Sequence, residues 1–313
     1  MKIGFLFPGQ GSQTVGMGKD LYENYEIVRE IYDKAEEITK IPIKKLSFEG
    51  PEEELNKTQN TQLAILTMSL AITKLLETEG IKADISAGLS LGEYSALINS
   101  KAITIEDGFK IVKARGKYMQ ELCPKGDWKM AAIMGLTEDQ VNEGISKVKS
   151  GFVKAVNFNT EGQIVLSGET KAIEEACTYL KEMGAKRALP LNTAGPFHTE
   201  KLIESSKALR EELENYTFNK FESKVIKNLT GDTYYSDEDN IKEILAEHII
   251  NPVQFKKTLK KMLEERIDTF IEIGPGKTLS GFLKRIETDK EIKILNISNV
   301  ETYKNTLSIL KGE

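Results

Sequence analysis

The five residues Gly88-Leu-Ser-Leu-Gly92 are the first place in this chain where residue type and spacing suggest covalent chemistry. In a G-x-S-x-G turn the flanking glycines let the backbone reverse sharply enough to expose a strained serine at the amino end of a helix. Backbone N–H groups and the partial positive charge of that helix end then lie where a tetrahedral oxyanion would form. A serine hydroxyl is a poor nucleophile until a neighbouring base takes its proton, and a histidine is the usual choice near neutral pH. The chain has two histidines. His198 closes the segment Ala194-Gly-Pro-Phe-His, where a small unit returns the chain to a larger one, so it is expected in a cleft between the two. His248 precedes Asn251-Pro252 at a helix end, where a surface or capping role is the plainer expectation. Arg115 stands among Lys110, Lys113 and Lys117, three residues that suit a solvated face. Arginine differs from them in presenting a planar fork that grips a carboxylate in two places.

A glycine-rich segment near the start, Phe7-Pro-Gly-Gln-Gly-Ser-Gln13, invites two nucleotide-binding readings, and both fail. Thr14 occupies the third glycine position of a dinucleotide fingerprint, and the acidic residues downstream, Glu30 and Asp33, lie inside a helical pattern. Gly11 to Gly16 has the spacing of a P-loop, but Met17 stands where a lysine must meet phosphate. What remains is a tight turn whose free N–H groups could complete an oxyanion hole. Cys123 and Cys177 are the only cysteines and lack metal-site or disulfide spacing, so a reducing, cytoplasmic setting with inert thiols is expected. A net charge of −5 argues against binding nucleic acid by charge alone. The run after Met1 is too short for the apolar core of a signal peptide. Leu63 to Ile72, the longest apolar stretch, is about half of a membrane span and reads as a buried helix.

These residues need elements to hold them. Lys2 to Phe7 reads as a buried strand closed by Pro-Gly, and Leu21, Tyr25, Val28, Tyr32 and Ala35 recur with helical spacing as one amphipathic helix. A long helix is expected over about Thr61 to Glu77, then a strand Asp84 to Ala87, the serine turn, and a helix from Glu93. Strand, sharp turn and helix is the context the G-x-S-x-G pattern requires. A further helix from Ile105 carries Arg115. Between Trp128 and Leu191 the pattern changes to βαββαβ, the order of a ferredoxin-like unit. Thr269 to Ile273 is a strand running into Gly274-Pro-Gly276 and a helix from Thr278. The fold class is therefore α/β, with a large, mostly parallel domain at 1–125 and 195–313 and a small inserted domain at 126–194. The Lys- and Glu-rich carboxyl end reads as a solvated helix.

Taken together, FPGQGSQ at Phe7 to Gln13, GLSLGEYSAL at Gly88 to Leu97, Arg115-Gly-Lys, NFNTEGQ at Asn157 to Gln163, GPFH at Gly195 to His198, NPVQF at Asn251 to Phe255 and IEIGPGK at Ile271 to Lys277 resemble the malonyl-CoA:acyl carrier protein transacylase family. The blocks occur in order over almost the whole chain. The resemblance implies an α/β hydrolase-like large domain with a ferredoxin-like insertion, in agreement with the periodicity. It implies that Ser90 attacks the malonyl thioester and His198 takes the proton. The backbone amides of Gln10 and Leu91 would hold the oxyanion, and Arg115 would pair with the free malonyl carboxylate. Malonyl-CoA and holo-acyl carrier protein are the implied partners, used in turn through a malonyl-serine ester in the service of fatty-acid synthesis. No metal or redox cofactor, no membrane and no nucleic acid are implied, and a monomer is expected.

Two positions depart from the family's commonest form. Leu89 stands where a histidine usually precedes the nucleophile, which bears on how strictly malonyl is chosen. His248 stands where a glutamine is usual; in the family this segment orients the catalytic histidine through a backbone carbonyl, which any residue supplies. A serine esterase or thioesterase would share the serine turn and histidine, but would normally orient its base with Asp or Glu and would not need Arg115. An acyltransferase for methylmalonyl or another branched unit would share nearly every motif, although Gly-Pro-Phe-His198 resembles the malonyl type. A non-catalytic carrier-docking domain would not need Ser90, His198 and Arg115 together. Lys277, Lys284 and Arg285 are the candidate basic residues for docking an acidic carrier protein.

Overall fold

The computed structural model describes residues 1–191 and 195–312. The expected domain boundary at 194/195 touches residues outside that set. Among the described residues, two sheets organise the fold. The larger holds five parallel strands in the order Lys224–Val225, Ile85–Gly88, Ile3–Phe7, Thr269–Ile273 and Lys293–Ile297. In chain order these are β1 (Ile3–Phe7), β2 (Ile85–Gly88), β7 (Lys224–Val225), β8 (Thr269–Ile273) and β9 (Lys293–Ile297), and between them come β3 (Trp128–Met134), β4 (Val153–Thr160), β5 (Gln163–Glu169) and β6 (Arg187–Leu191). β1, β2 and β8 are buried at every position, as parallel strands covered by helices on both faces must be. Only β1 is apolar throughout; β2 buries Ser86, and β8 buries Glu272, whose carboxylate accepts from the N–H groups of Leu279 and Ser280.

The second sheet is antiparallel in the order β4-β5-β3-β6. Two helices, Glu138–Ser146 and Thr170–Glu182, complete the βαββαβ unit and pack their apolar stripes with the inner face of this sheet into its own core. The strand order is that of a ferredoxin-like sheet. Val156 and Phe158 in β4 exchange backbone hydrogen bonds with Val253, which anchors the small sheet to the body of the chain.

The apolar stretch Leu63 to Ile72 lies within the helix Thr58–Thr78 and is buried throughout, its interrupting Thr67 hydroxyl returning to the Leu63 carbonyl. Among the described residues, no helix is long and apolar enough to cross a membrane. One expected element is divided. The helix anticipated through Leu21 and Ala35 is two helices, Lys19–Asn24 and Glu26–Thr39, because Tyr25 is extended and its ring packs edge-on against Tyr303. The terminal helix Val300–Lys311 is also less solvated than expected, since it buries Tyr303 and Thr306.

Candidate active site

The serine turn follows directly from its glycines. β2 ends at Gly88 and the helix Gly92–Asn99 begins four residues later. A Cβ on Gly88 would lie 2.0 Å from the Gly92 carbonyl carbon, and one on Gly92 would lie 2.0 Å from the Phe7 carbonyl oxygen, so neither position accepts a side chain. Between them Ser90 has φ 53°, a left-handed conformation that costs a non-glycine residue energy and projects its hydroxyl outward. Asn228 braces this turn: its Oδ1 accepts from Ser90 N–H at 2.9 Å, and its Nδ2 donates to the Gly88 carbonyl at 2.6 Å.

His198 meets the serine from the far side of the cavity, its Nε2 2.9 Å from Ser90 Oγ. Its Nδ1 is 2.9 Å from the His248 carbonyl oxygen. A carbonyl can only accept, so Nδ1 carries the proton and the Nε2 lone pair faces the serine hydroxyl. That is the tautomer of a general base. Burial, then the neighbouring His248 and Arg115, hold the His198 pKa well below the ordinary histidine value of 6.5, which keeps the ring neutral. His198 is also left-handed, at φ 60°.

Arg115 projects from the helix Ile105–Glu121 into the same space and is 1% exposed, whereas Lys110 and Lys117 are exposed. Its Nη2 donates to Ser90 Oγ at 3.1 Å and its Nη1 to Gln62 Oε1 at 2.7 Å, with the guanidinium over the Tyr94 ring. Burial lowers the Arg115 pKa from its usual value, outweighing the opposing influence of Tyr94 and Glu93, and among the described residues no carboxylate forms an ion pair with the guanidinium. Such a group is poised for an anionic ligand.

These side chains line a cavity of about 210 Å³ whose remaining wall is largely apolar, with Leu89, Met119, Met130, Val165, Phe197 and Phe282 contributing. Gln10 and Leu91 also line it, and among the described residues neither backbone N–H donates a hydrogen bond. The cavity therefore offers a nucleophile, a neutral base, two unused N–H donors and a buried cation within one space. Among the described residues, no group of His, Cys, Asp or Glu side chains is placed to hold a metal ion.

The structure thus brings together Ser90, His198, Arg115, Gln10 and Leu91. It corrects the expectation for His248, whose side chain is buried at 1% exposure and not at the surface, because the helix Ile241–Ile250 turns it inward toward Glu93. Sequence reasoning missed Gln62, Asn228 and Glu93. Gln62 and Glu93 were visible as polar residues within apolar helical runs; Asn228 carried no local signal. Both cysteine thiols have their pKa raised by burial, consistent with inert side chains.

The chain matches the acyl transferase domain family over residues 4–300. It is 41% identical over 314 residues to the malonyl CoA-acyl carrier protein transacylase of Bacillus subtilis (strain 168), covering 100% of this chain and 98% of that protein. The protein of the same name from Escherichia coli (strain K12) is 39% identical over 297 residues, covering 94% and 96%. Among solved structures, the malonyl CoA-acyl carrier protein transacylase of Clostridium perfringens ATCC 13124 superposes with a TM-score of 0.93 at 45% identity, covering 100% of this chain and 98% of that one. A malonyl-transacylase in complex with a holo type II PKS acyl-carrier protein gives a TM-score of 0.93 at 33% identity, with 100% of both chains covered. Likeness of this extent, running from β1 through the last helix, makes the chain an acyltransferase that belongs to the acyl transferase domain family and, within it, to the malonyl CoA-acyl carrier protein transacylases.

Proposed function

We propose that this acyltransferase moves a malonyl group from malonyl-CoA to the phosphopantetheine thiol of holo-acyl carrier protein by way of a malonyl ester on Ser90. The reading rests on the family and on one geometric observation: the Ser90 hydroxyl lies between a base with a free lone pair and a buried arginine. His198 Nε2 takes the hydroxyl proton as Oγ attacks the thioester carbon. The oxyanion that develops is met by the N–H groups of Gln10 and Leu91, which donate to no other acceptor among the described residues and are therefore free for it. Collapse expels the CoA thiolate, which takes the proton from His198. In the second half the carrier thiol gives its proton to His198, attacks the ester, and Ser90 Oγ leaves as the hydroxyl. Each half exchanges one acyl bond for another, so the cycle uses no external electron donor or acceptor.

Arg115 is the proposed clamp for the malonyl carboxylate, and its pairing would have a second effect. A carboxylate against the guanidinium cancels a charge that depresses His198, so the base strengthens as the correct substrate arrives. Lys277, Lys284 and Arg285, all exposed and close in sequence to cavity-lining Thr278, Leu279 and Phe282, are the proposed docking residues for an acidic carrier. The role in fatty-acid synthesis and the cytoplasmic setting belong to this same reading.

The test is intact-protein mass spectrometry after brief mixing with malonyl-CoA, in parallel with acetyl-CoA and a Ser90→Ala variant. The expected result is a malonyl adduct, absent from the variant and cleared by holo-acyl carrier protein. Steady release of free malonate with no adduct would overturn the reading in favour of a hydrolase.

A further inference from the structure

We propose that Glu93 is a positioning residue, a buried carboxylate that holds the nucleophile turn and the base-orienting carbonyl in register with each other. Glu93 lies in the first turn of the helix Gly92–Asn99 and is 1% exposed. Its Oε1 accepts from the Asn228 backbone N–H at 2.8 Å and from the Tyr235 hydroxyl at 3.0 Å. Its Oε2 is 2.7 Å from His248 Nδ1, a close contact at an angle outside hydrogen-bond geometry. Two of these partners, Asn228 and His248, then reach the reacting pair. Asn228 binds the backbone of both Gly88 and Ser90 through its side chain, and His248 supplies the carbonyl that fixes the His198 ring. One carboxylate is therefore a single residue removed from the nucleophile on one side and from the base on the other.

The arrangement is costly in isolation. Taking a carboxylate out of water is unfavourable unless donors meet it, and here Oε1 is met by two donors from the Asn228-to-Tyr235 segment, while Oε2 is held against His248 of a separate helix without a hydrogen bond. Burial and Glu93 together raise the Tyr235 phenol pKa well above its ordinary value, so that hydroxyl remains a donor. A carboxylate that only stabilised the fold would have no reason to contact the two residues that hold Ser90 and His198.

The inference rests on Ser90 as nucleophile and His198 as base, so the experiment includes a substrate-independent readout. Glu93→Gln, His248→Gln and the double variant are compared by the rate at which phenylmethanesulfonyl fluoride labels Ser90, by kcat and KM for malonyl transfer, and by thermal unfolding. In Glu93→Gln, Oε1 can still accept from Asn228 and Tyr235, but an amide replaces the carboxylate oxygen facing His248. Labelling rate per folded molecule and kcat are expected to fall together by about 10- to 100-fold, the scale of a small misplacement of reacting groups, with KM for malonyl-CoA unchanged. The double variant, which places two complementary amides at the contact, is expected to recover part of that loss, so that the two substitutions are not additive. A Glu93→Gln protein that melts earlier yet labels and turns over at the normal rate would reduce Glu93 to a structural residue. A change confined to KM, or strict additivity, would also overturn the proposal. Failure of the unsubstituted protein to label at Ser90 would remove the nucleophile itself, a separate outcome.

Discussion

Ser90 Oγ receives two contacts that pull in the same chemical direction. On the proposed mechanism the lone pair of His198 Nε2 takes its proton and the Arg115 guanidinium, 3.1 Å away, faces the negative charge left behind. Arg115 also repels a proton on His198, so the two roles are coupled. Arg115→Ala is expected to lower kcat/KM for malonyl-CoA by about 10- to 100-fold, since a charge-assisted bond contributes roughly 1.5–3 kcal/mol, while acetyl transfer suffers less. Unchanged malonyl kinetics would rule out the clamp. The same variant carries a pH signature. A histidine whose pKa is depressed stays neutral, and competent as a base, at pH values below the ordinary 6.5. The rate of Ser90 acylation should therefore persist below pH 6.5 in the unsubstituted protein and fail at a higher pH once Arg115 is removed. A limb that stays in place in the pH–rate profile would mean that burial and His248 alone set the base.

The turn between β2 and the helix Gly92–Asn99 is the element on which this chemistry depends. Gly92 packs against the Phe7 carbonyl at a distance no Cβ can share, so the helix end and β1 approach only through glycine. Gly92→Ala should cost about 1–3 kcal/mol or more by forcing that backbone apart, and Ser90 labelling should fall with it. Thermal unfolding together with adduct formation checks both; a stable variant with normal acylation would show that the close packing is not required. Local pattern was enough for most elements. β6 and β8 run over the same residues as their apolar stretches, and the long central helix differs from its reading by a few residues at its start and one at its end. The division at Tyr25 was not legible, because its spacing fits a continuous helix and only the distant Tyr303 ring draws it out of line. β9 was missed as well, for its residues lie at the sheet edge, with Lys293 exposed, the next three partly buried and only Ile297 fully buried, and they follow a charged stretch.

At the scale of the whole molecule, the cavity exists because the antiparallel sheet supplies one wall and the parallel sheet the other. Met130 and Val165 come from β3 and β5, while Ser90 stands at the end of β2. Arg285 crosses between the two parts, donating to Gln163 Oε1 at 2.6 Å, so Lys277 and Lys284 are the freer cations of the proposed docking group. Charge reversal at both lysines should raise the KM for an acidic carrier protein and flatten its dependence on salt, leaving acylation by malonyl-CoA unaltered. Separate stopped-time assays of the two half-reactions would test this. An equal effect on both halves would move the docking surface elsewhere.

By itself the sequence determined the parallel core strands, the ferredoxin-like order and the serine turn, because each depends on residues close together in the chain. It also marked Ser90 by its G-x-S-x-G turn, His198 as one of two histidines and Arg115 as an arginine among lysines, none of which needs a distant partner to be noticed. Only the tertiary structure decided that His198 reaches Ser90 across 108 residues, that Asn228 braces the turn from 138 residues away, and that His248 is buried against Glu93. Those contacts join segments whose own patterns are indifferent to each other. They form because sheet and helix packing bring the segments within hydrogen-bonding distance, and no local periodicity encodes which side chains will meet there.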